Sequence, residues 1–148
     1  MTDTVRDRIL AAIEERATLL ADEFEMEPSG DPSRFPSLAA FDGGHMVIDR
    51  DGMITRRVMT LTIEGYVQGA DGWQPTRERN ALHAELVAAL VGEQGDHNPS
   101  TLGGIVELIE DTDLRMATAV MASQRRLMFA QDFEITFVTN RIDPARAG

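Results

Sequence analysis

Few residues of this chain have the types and spacing that catalysis or metal binding requires. His83-Ala84-Glu85 matches the first half of the zinc deaminase signature, in which the histidine binds the metal and the glutamate moves protons. The second half of that signature needs two cysteines, and the chain has none. His45 and His97 lie in separate segments and form no histidine pair at helical spacing. We therefore predict that His83 is a surface or boundary residue of a helix.

A dense acidic patch in the last third of the chain is the other place where chemistry is conceivable. Paired carboxylates can exchange protons with a substrate or hold Mg²⁺, so one reading is a hydrolase that uses these residues. No histidine, lysine or glycine-rich phosphate loop accompanies them in sequence. We interpret them as solvated charges near a strand end, and we predict no catalytic residue, cofactor or metal site. The patch consists of Glu107, Glu110, Asp111 and Asp113.

Composition removes several function classes. All 14 basic residues are arginine, and both lysine and cysteine are absent. The chain therefore has no Walker-A loop, no Schiff-base lysine, no thiol nucleophile and no cysteine-ligated zinc. The formal net charge of -11 argues against nucleic-acid binding, which depends on neutralising phosphates. No apolar run reaches the ~18 residues of a membrane span, and the charged N-terminus is unlike a secretory signal. We expect a single domain over residues 1–148.

The segment 58–90 organises the rest of the chain. Apolar residues alternate at Met59, Leu61 and Ile63, which is typical of a half-buried strand. After a glycine-rich turn the spacing changes to that of a helix, with Leu82 and Leu86 leading a stripe that ends at Leu90. Pro75 suits the first turn of this helix. A helix with such a stripe must pack on a sheet, and the strand before it is the nearest one.

The remaining periodicities complete an α+β fold. We predict a mixed or antiparallel sheet of about four to five strands with two main helices on one face. Thr4 and Asp7 look like a capping box at the start of the first helix. Residues 140–148 show no periodicity and are expected to fray. Besides the segment above, the predicted elements are a helix over 4–24, a hairpin-like excursion over 42–57, and strands over 38–41, 104–110, 114–122 and 127–139.

The excursion and several arginines are candidates for contacts between molecules. Met46, Val47 and Ile48 form an apolar patch between glycine and aspartate turns, which suggests a segment that becomes ordered only against a neighbour. Asp49-Arg50-Asp51-Gly52 has part of a calcium-loop pattern but lacks the later ligands, so we interpret it as a solvated turn. Exposed arginines can pair with the excess carboxylates of another subunit, although solvation is the ordinary alternative. These are Arg56, Arg57, Arg77, Arg79 and Arg115.

Taken together, the elements resemble the tail terminator proteins of long-tailed bacteriophages, the minor tail protein U type. The resemblance covers about residues 4–140 and is one of element order and texture, without a catalytic motif. The loop 28–36 and the excursion 42–57 have no counterpart. The segments that carry it are VRDRILAAIEERATLL (5–20), LTIEGYVQG (61–69), RNALHAELVAAL (79–90) and FEITFVTNR (133–141), with LGGIVELIEDTDL (102–114) at the post-helix strand and acidic turn.

The resemblance implies a structural virion protein. Members of that family form a hexameric ring that caps the tail tube, ends its polymerisation and presents a docking surface to the head. The implied partners are further copies of the chain, the major tail tube protein and a head-side connector, at the head-proximal end of a tail assembled in the host cytoplasm. DNA would pass through the ring without specific binding, and an acidic lining would keep it from sticking. The candidate for such a lining or surface patch is the acidic patch of Glu107, Glu110, Asp111 and Asp113. The alternatives are another neck or tail-completion protein, a small ligand-binding α+β regulatory domain, and the hydrolase considered above.

Overall fold

The fold is a five-stranded mixed sheet with two helices. The computed structural model describes residues 3–70, 72–93, 98–120 and 124–148. The sheet order is β1-β2-β3-β5-β4, in which β1 and β2 are parallel and the other neighbours antiparallel. This confirms the predicted α+β class. The elements are α1 (Val5–Thr18), β1 (Glu23–Met26), β2 (Ser37–Asp51), β3 (Ile54–Gly69), α2 (Gln74–Val91), β4 (Leu108–Val120) and β5 (Arg125–Asn140).

The core lies between one sheet face and both helices. The alternation along β3 is confirmed, since Met59, Leu61 and Ile63 are fully buried. The stripe of α2 is confirmed as well, and its leucines join the same apolar cluster as Ile9 and Ile13 of α1. Of the residues described, no helix is long and apolar enough to cross a membrane.

The first helix begins as predicted but ends earlier. Thr4 Oγ1 accepts a hydrogen bond from the Asp7 amide at 3.1 Å, and the Thr4 amide donates to Asp7 Oδ2 at 2.9 Å, which completes the capping box. The prediction that the helix continues to residue 24 is wrong. Glu23–Met26 instead forms a strand that pairs with Ser37 to Ala40. Pairing with a sheet edge satisfies backbone groups that a fraying, acidic helix end would leave open.

The two strands predicted over 104–110 and 114–122 are one strand in the structure. Residues 104–107 are outside it, because Gly103 and Gly104 adopt positive φ angles of 72° and 94° that turn the chain. A bulge between Asp111 and Leu114 shifts the register with β5. The bulge breaks the alternation expected from sequence. Residues 121 and 122 of the prediction lie outside the described part of the chain.

The excursion at 42–57 is a hairpin, as predicted, but it forms within the single chain. Strands β2 and β3 pair to their ends, at Asp51 and Ile54, with irregularities after Asp42 and Val47. The expectation that this segment orders only against a neighbour is therefore wrong. The terminal segment also differs from the expected frayed tail: the Asn140 amide donates to the Arg146 carbonyl at 2.9 Å, and the Arg141 amide donates to the Met53 carbonyl at 2.8 Å.

Candidate functional site

The β2–β3 hairpin and the terminal segment lie together, and we call residues 45–57 with 140–148 the hairpin end. Besides its backbone bond to Met53, Arg141 donates through Nη1 to the Gly52 carbonyl at 3.2 Å. Val47 is only half-buried. Four large apolar side chains of the hairpin end are exposed to solvent, namely Met46, Ile48, Met53 and Ile142. Apolar side chains gathered in this way are typical of a surface that contacts another protein.

A partly exposed network of hydrogen bonds joins the hairpin to α1. Arg57 donates from Nε to Thr139 Oγ1 at 3.0 Å, and its Nη1 lies 3.0 Å from His45 Nε2. On the other side of the ring, Arg6 Nη1 lies 2.8 Å from His45 Nδ1, and Arg6 also pairs with Asp42. Burial lowers the pKa of His45, and the charges of Arg6 and Arg57 lower it further. A third positive charge beside two guanidiniums is unfavourable, so this arrangement favours the neutral imidazole.

Arg56 and Glu107 form the main link between the hairpin and the acidic patch. Arg56 Nε donates to Glu107 Oε1 at 2.6 Å, and Nη2 donates to Oε2 at 3.2 Å, which makes the pair bidentate. Arg56 Nη1 also donates to Asp49 Oδ2 at 3.2 Å. The hydrogen bond from Arg56 lowers the pKa of Glu107. A carboxylate held ionised in this way is poorly suited to donate a proton in catalysis.

The other members of the acidic patch do not converge on a common centre. Glu110, Asp111 and Asp113 are exposed on β4, at and beside its bulge. Glu110 lies directly opposite Glu134 of β5, so two like charges face each other across the strand pair. Within the described ranges, no group of three or more His, Asp or Glu residues is arranged to hold a metal ion.

Arg77 and Arg79 lie far from the hairpin end. Both belong to the first turns of α2, which follows the end of β3 opposite to the hairpin tip. Arg77 is exposed, whereas Arg79 is partly buried and its Nε has no hydrogen-bond partner. Trp73 beside them is 75% exposed. The predicted interface residues therefore fall on two separate parts of the surface.

The sheet face that no helix covers carries an ion pair. Of its two members, only Arg115 was identified from the sequence as a candidate for ion pairing. Arg115 donates from both Nη atoms to Asp132, at 2.9 and 3.0 Å, and Thr62 Oγ1 donates to Asp132 Oδ1 at 2.7 Å. The hydrogen bond from Arg115 lowers the pKa of Asp132. Arg115 was one of the candidates for pairing with another subunit, with solvation as the alternative, and the structure pairs it with Asp132 within the chain. The alternation along the strands predicts that Thr62 and Asp132 lie on this face. It does not predict that they are hydrogen-bonded to each other.

His83 occupies the boundary position that its sequence context predicted. Its Nε2 lies 2.7 Å from Gln131 Oε1, and its ring meets Phe129 edge-to-face with centroids 5.2 Å apart. Among the described residues, it belongs to no group of three or more side chains that could hold a zinc ion. His97 lies outside the described residues.

A broad groove between the helices and β4 was not foreseen from sequence. It has a volume of about 1300 Å³ and runs between α1, the last turns of α2 and the start of β4. Its apolar floor includes Leu20, Val91, Leu102 and Leu108, and Leu19 at its edge is 83% exposed. Four exposed carboxylates border it, and no side chain of the described residues pairs with them: Glu15, Glu85, Glu110 and Asp111. We call this surface the helix groove.

Sequence reasoning missed this groove for a local reason. Leu19 looks like a member of the α1 apolar stripe, but the helix stops at Thr18, so Leu19 is left outside the core. The alternation predicted for 104–110 would have put Leu108 and Val106 on one face. The structure instead buries Val106 and leaves Leu108 partly exposed in the groove.

Comparison with known proteins assigns no family to this chain. No family model matches the chain. No curated protein matches it either. A solved chain of the "Virion of native gene transfer agent (GTA) particle" is similar over 90% of this chain and 92% of that chain, at 18% identity and a TM-score of 0.47. A likeness this distant carries no argument about function.

Proposed function

We propose that this protein is a structural component of a phage-type tail, which assembles as a ring on the finished tail tube. The ring, hexameric by the family resemblance, would end tube polymerisation and present the docking surface for the head-side connector. In this proposal the protein has no catalytic activity. Its location is the head-proximal end of the tail in the virion.

The observation that supports an assembly role is the distribution of exposed apolar side chains. Six large ones lie on the hairpin end and the helix groove: Met46, Ile48, Met53, Ile142, Leu19 and Leu108. Large apolar side chains that are exposed on the same surface are typical of a region that another protein covers. The residues with catalytic potential, in contrast, are dispersed or already paired within the chain.

The charge distribution is compatible with a channel for DNA. Four carboxylates lie on the helix-free sheet face or at its edge, and Arg115 offsets only part of their charge. Six copies of a chain of net charge -11 would carry a formal charge of -66. Such a surface repels a polyanion and lets it pass without binding. The four are Glu64, Glu110, Asp132 and Glu134.

Deleting the gene from the genome that encodes this chain tests the proposal. The expected phenotype is overlong tails without heads beside full heads without tails, because nothing stops the tube. Tails of normal length that lack heads would favour the neck or tail-completion alternative. Normal particles would overturn the proposal. Six-fold rings of the purified protein in negative-stain micrographs would be the matching result in vitro, and compact monomers would count against it.

A further inference from the structure

We infer that the hairpin end of one copy seats in the helix groove of a second copy. The inference deepens the proposed ring and rests on it, in that it names the two surfaces through which neighbouring subunits would meet. Four observations lead to it: matching apolar character, opposite charge, the size of the groove, and the distance between the two surfaces within one chain.

The two surfaces are complementary in charge. The hairpin end carries five arginines and three aspartates, which leaves a side-chain charge of +2 in a chain of net charge -11. Arg50 at the tip is exposed and has no partner among the described residues. Of the carboxylates that border the helix groove, Glu15, Glu85 and Asp111 lie on its helix side and are also unpaired within the described chain. Opposite potentials on two apolar surfaces favour their contact and fix its direction.

The size of the groove favours a protein segment over a small molecule. Its volume of about 1300 Å³ exceeds the ~300–1,000 Å³ of usual ligand pockets, and it is an open groove. Exposed methionine and isoleucine side chains on a narrow hairpin suit an apolar floor of leucine and valine. We therefore expect Ile48 and Met53 to rest on the floor near Leu19 and Leu108, with Arg50 at the carboxylate border.

Strand β2 of the hairpin end lies away from the groove of its own chain. In the sheet, β2 lies three positions from β4, which corresponds to ~14 Å at the usual strand spacing. Pairing with β3 as far as Asp51 and Ile54 and the Arg56–Glu107 pair fix the hairpin in that place. A contact between two different surfaces leaves a free groove on one copy and a free hairpin on the other. Such contacts close into a ring or extend as a filament.

A pair of complementary defects tests the inference in the full-length protein. Ile48→Asp damages the hairpin end and Leu19→Asp damages the groove, and both side chains are exposed, so both variants should fold with wild-type circular dichroism. Each alone should self-associate at least tenfold more weakly than wild type in sedimentation equilibrium. Mixed at equal concentration, they should form a 1:1 dimer, because one intact hairpin still meets one intact groove. Met116→Asp, at an exposed apolar position of β4 outside both surfaces, is the matched control and should associate like wild type.

Charge exchange supplies a second, independent measurement. Arg50→Glu should weaken association, and combining it with Asp111→Arg should recover at least part of the loss. The inference is overturned if the mixed defects give no dimer, if both single variants associate like wild type, or if wild type stays monomeric at every concentration reached. Variants that fail to associate yet still cap tails would overturn the contact and leave the proposed function standing. Rings that form through this contact but do not cap tails would overturn the function alone.

Discussion

Gly65 of β3 lies directly opposite Phe129 of β5, and the Phe129 ring fills the space above the glycine. A Cβ at position 65 would be 2.3 Å from two atoms of that ring. Phe129 is fully buried and also meets His83 of α2, so it has little freedom to move aside. Because residue 65 has no side chain, the large ring of Phe129 can lie over it at the position where α2 packs on the sheet.

Gly65→Ala should therefore destabilise the protein. We expect a loss of about 1–3 kcal/mol in the free energy of unfolding, the usual cost of overpacking. Denaturant unfolding followed by circular dichroism measures it. Gly30→Ala is the matched control, since no heavy atom lies within 4 Å of its Cβ position. The control should be neutral or stabilising by up to about 1 kcal/mol. Equal stabilities of the two variants would contradict the packing described for Phe129.

Leu86→Ala should show how much of the stability depends on the α2 stripe. Leu86 is fully buried in the core cluster, so its truncation leaves a cavity that costs about 2–5 kcal/mol. The same substitution at Leu19, which is 83% exposed, should change the free energy of unfolding by less than about 0.5 kcal/mol. Urea unfolding at a concentration where the protein is monomeric gives both values. A similar cost at the two positions would mean that Leu19 belongs to the core.

Acidification should weaken the contact between the hairpin and α1. The pKa of His45 is lowered in the folded protein, first by burial and then by Arg6 and Arg57, with Asp42 as the opposing charge. A lowered folded pKa means that the stabilisation is fully present above the ordinary value near 6.5 and is lost as pH falls through the folded pKa. The measurement is urea stability against pH for wild type and His45→Gln. The difference between them should change in that window, and a constant difference would contradict the prediction.

The pKa of Tyr66 can be measured directly at alkaline pH. Burial, the hydrogen bond to Glu64 and the charge of Glu64 together raise the pKa of Tyr66 to about 12. It is the only tyrosine, so phenolate absorbance reports it alone. Its stabilising contribution is present below the ordinary value of about 10 and is lost as pH rises through about 12.

Glu64→Gln should move this titration toward that ordinary value, because it removes the anion that disfavours phenolate. The urea-unfolded protein, titrating at about 10, is the internal reference. A folded wild type that titrates at the same pH as the unfolded chain would show that Tyr66 is solvated and unpaired.

Local sequence determined the elements whose signal lies within a few residues. The capping box at Thr4 and Asp7, the alternation through Met59 to Ile63 and the leucine stripe of α2 all form as predicted. Each is fixed by geometry inside one helix or one strand, where the period of side-chain directions is set by the backbone. The α+β class follows from the order of these elements.

Tertiary structure decided what depends on pairing between distant segments. Whether Glu23–Met26 continues a helix or adds a strand depends on the open edge of β2, and the phase of β4 depends on a bulge against β5. The partner of Arg56 is Glu107, 51 residues away, which charge counts cannot reveal. The helix groove exists because α1 stops at Thr18 and β4 begins only at Leu108, which leaves a gap between α1, α2 and β4. The gap depends on all three elements, so the sequence of any one of them does not predict it.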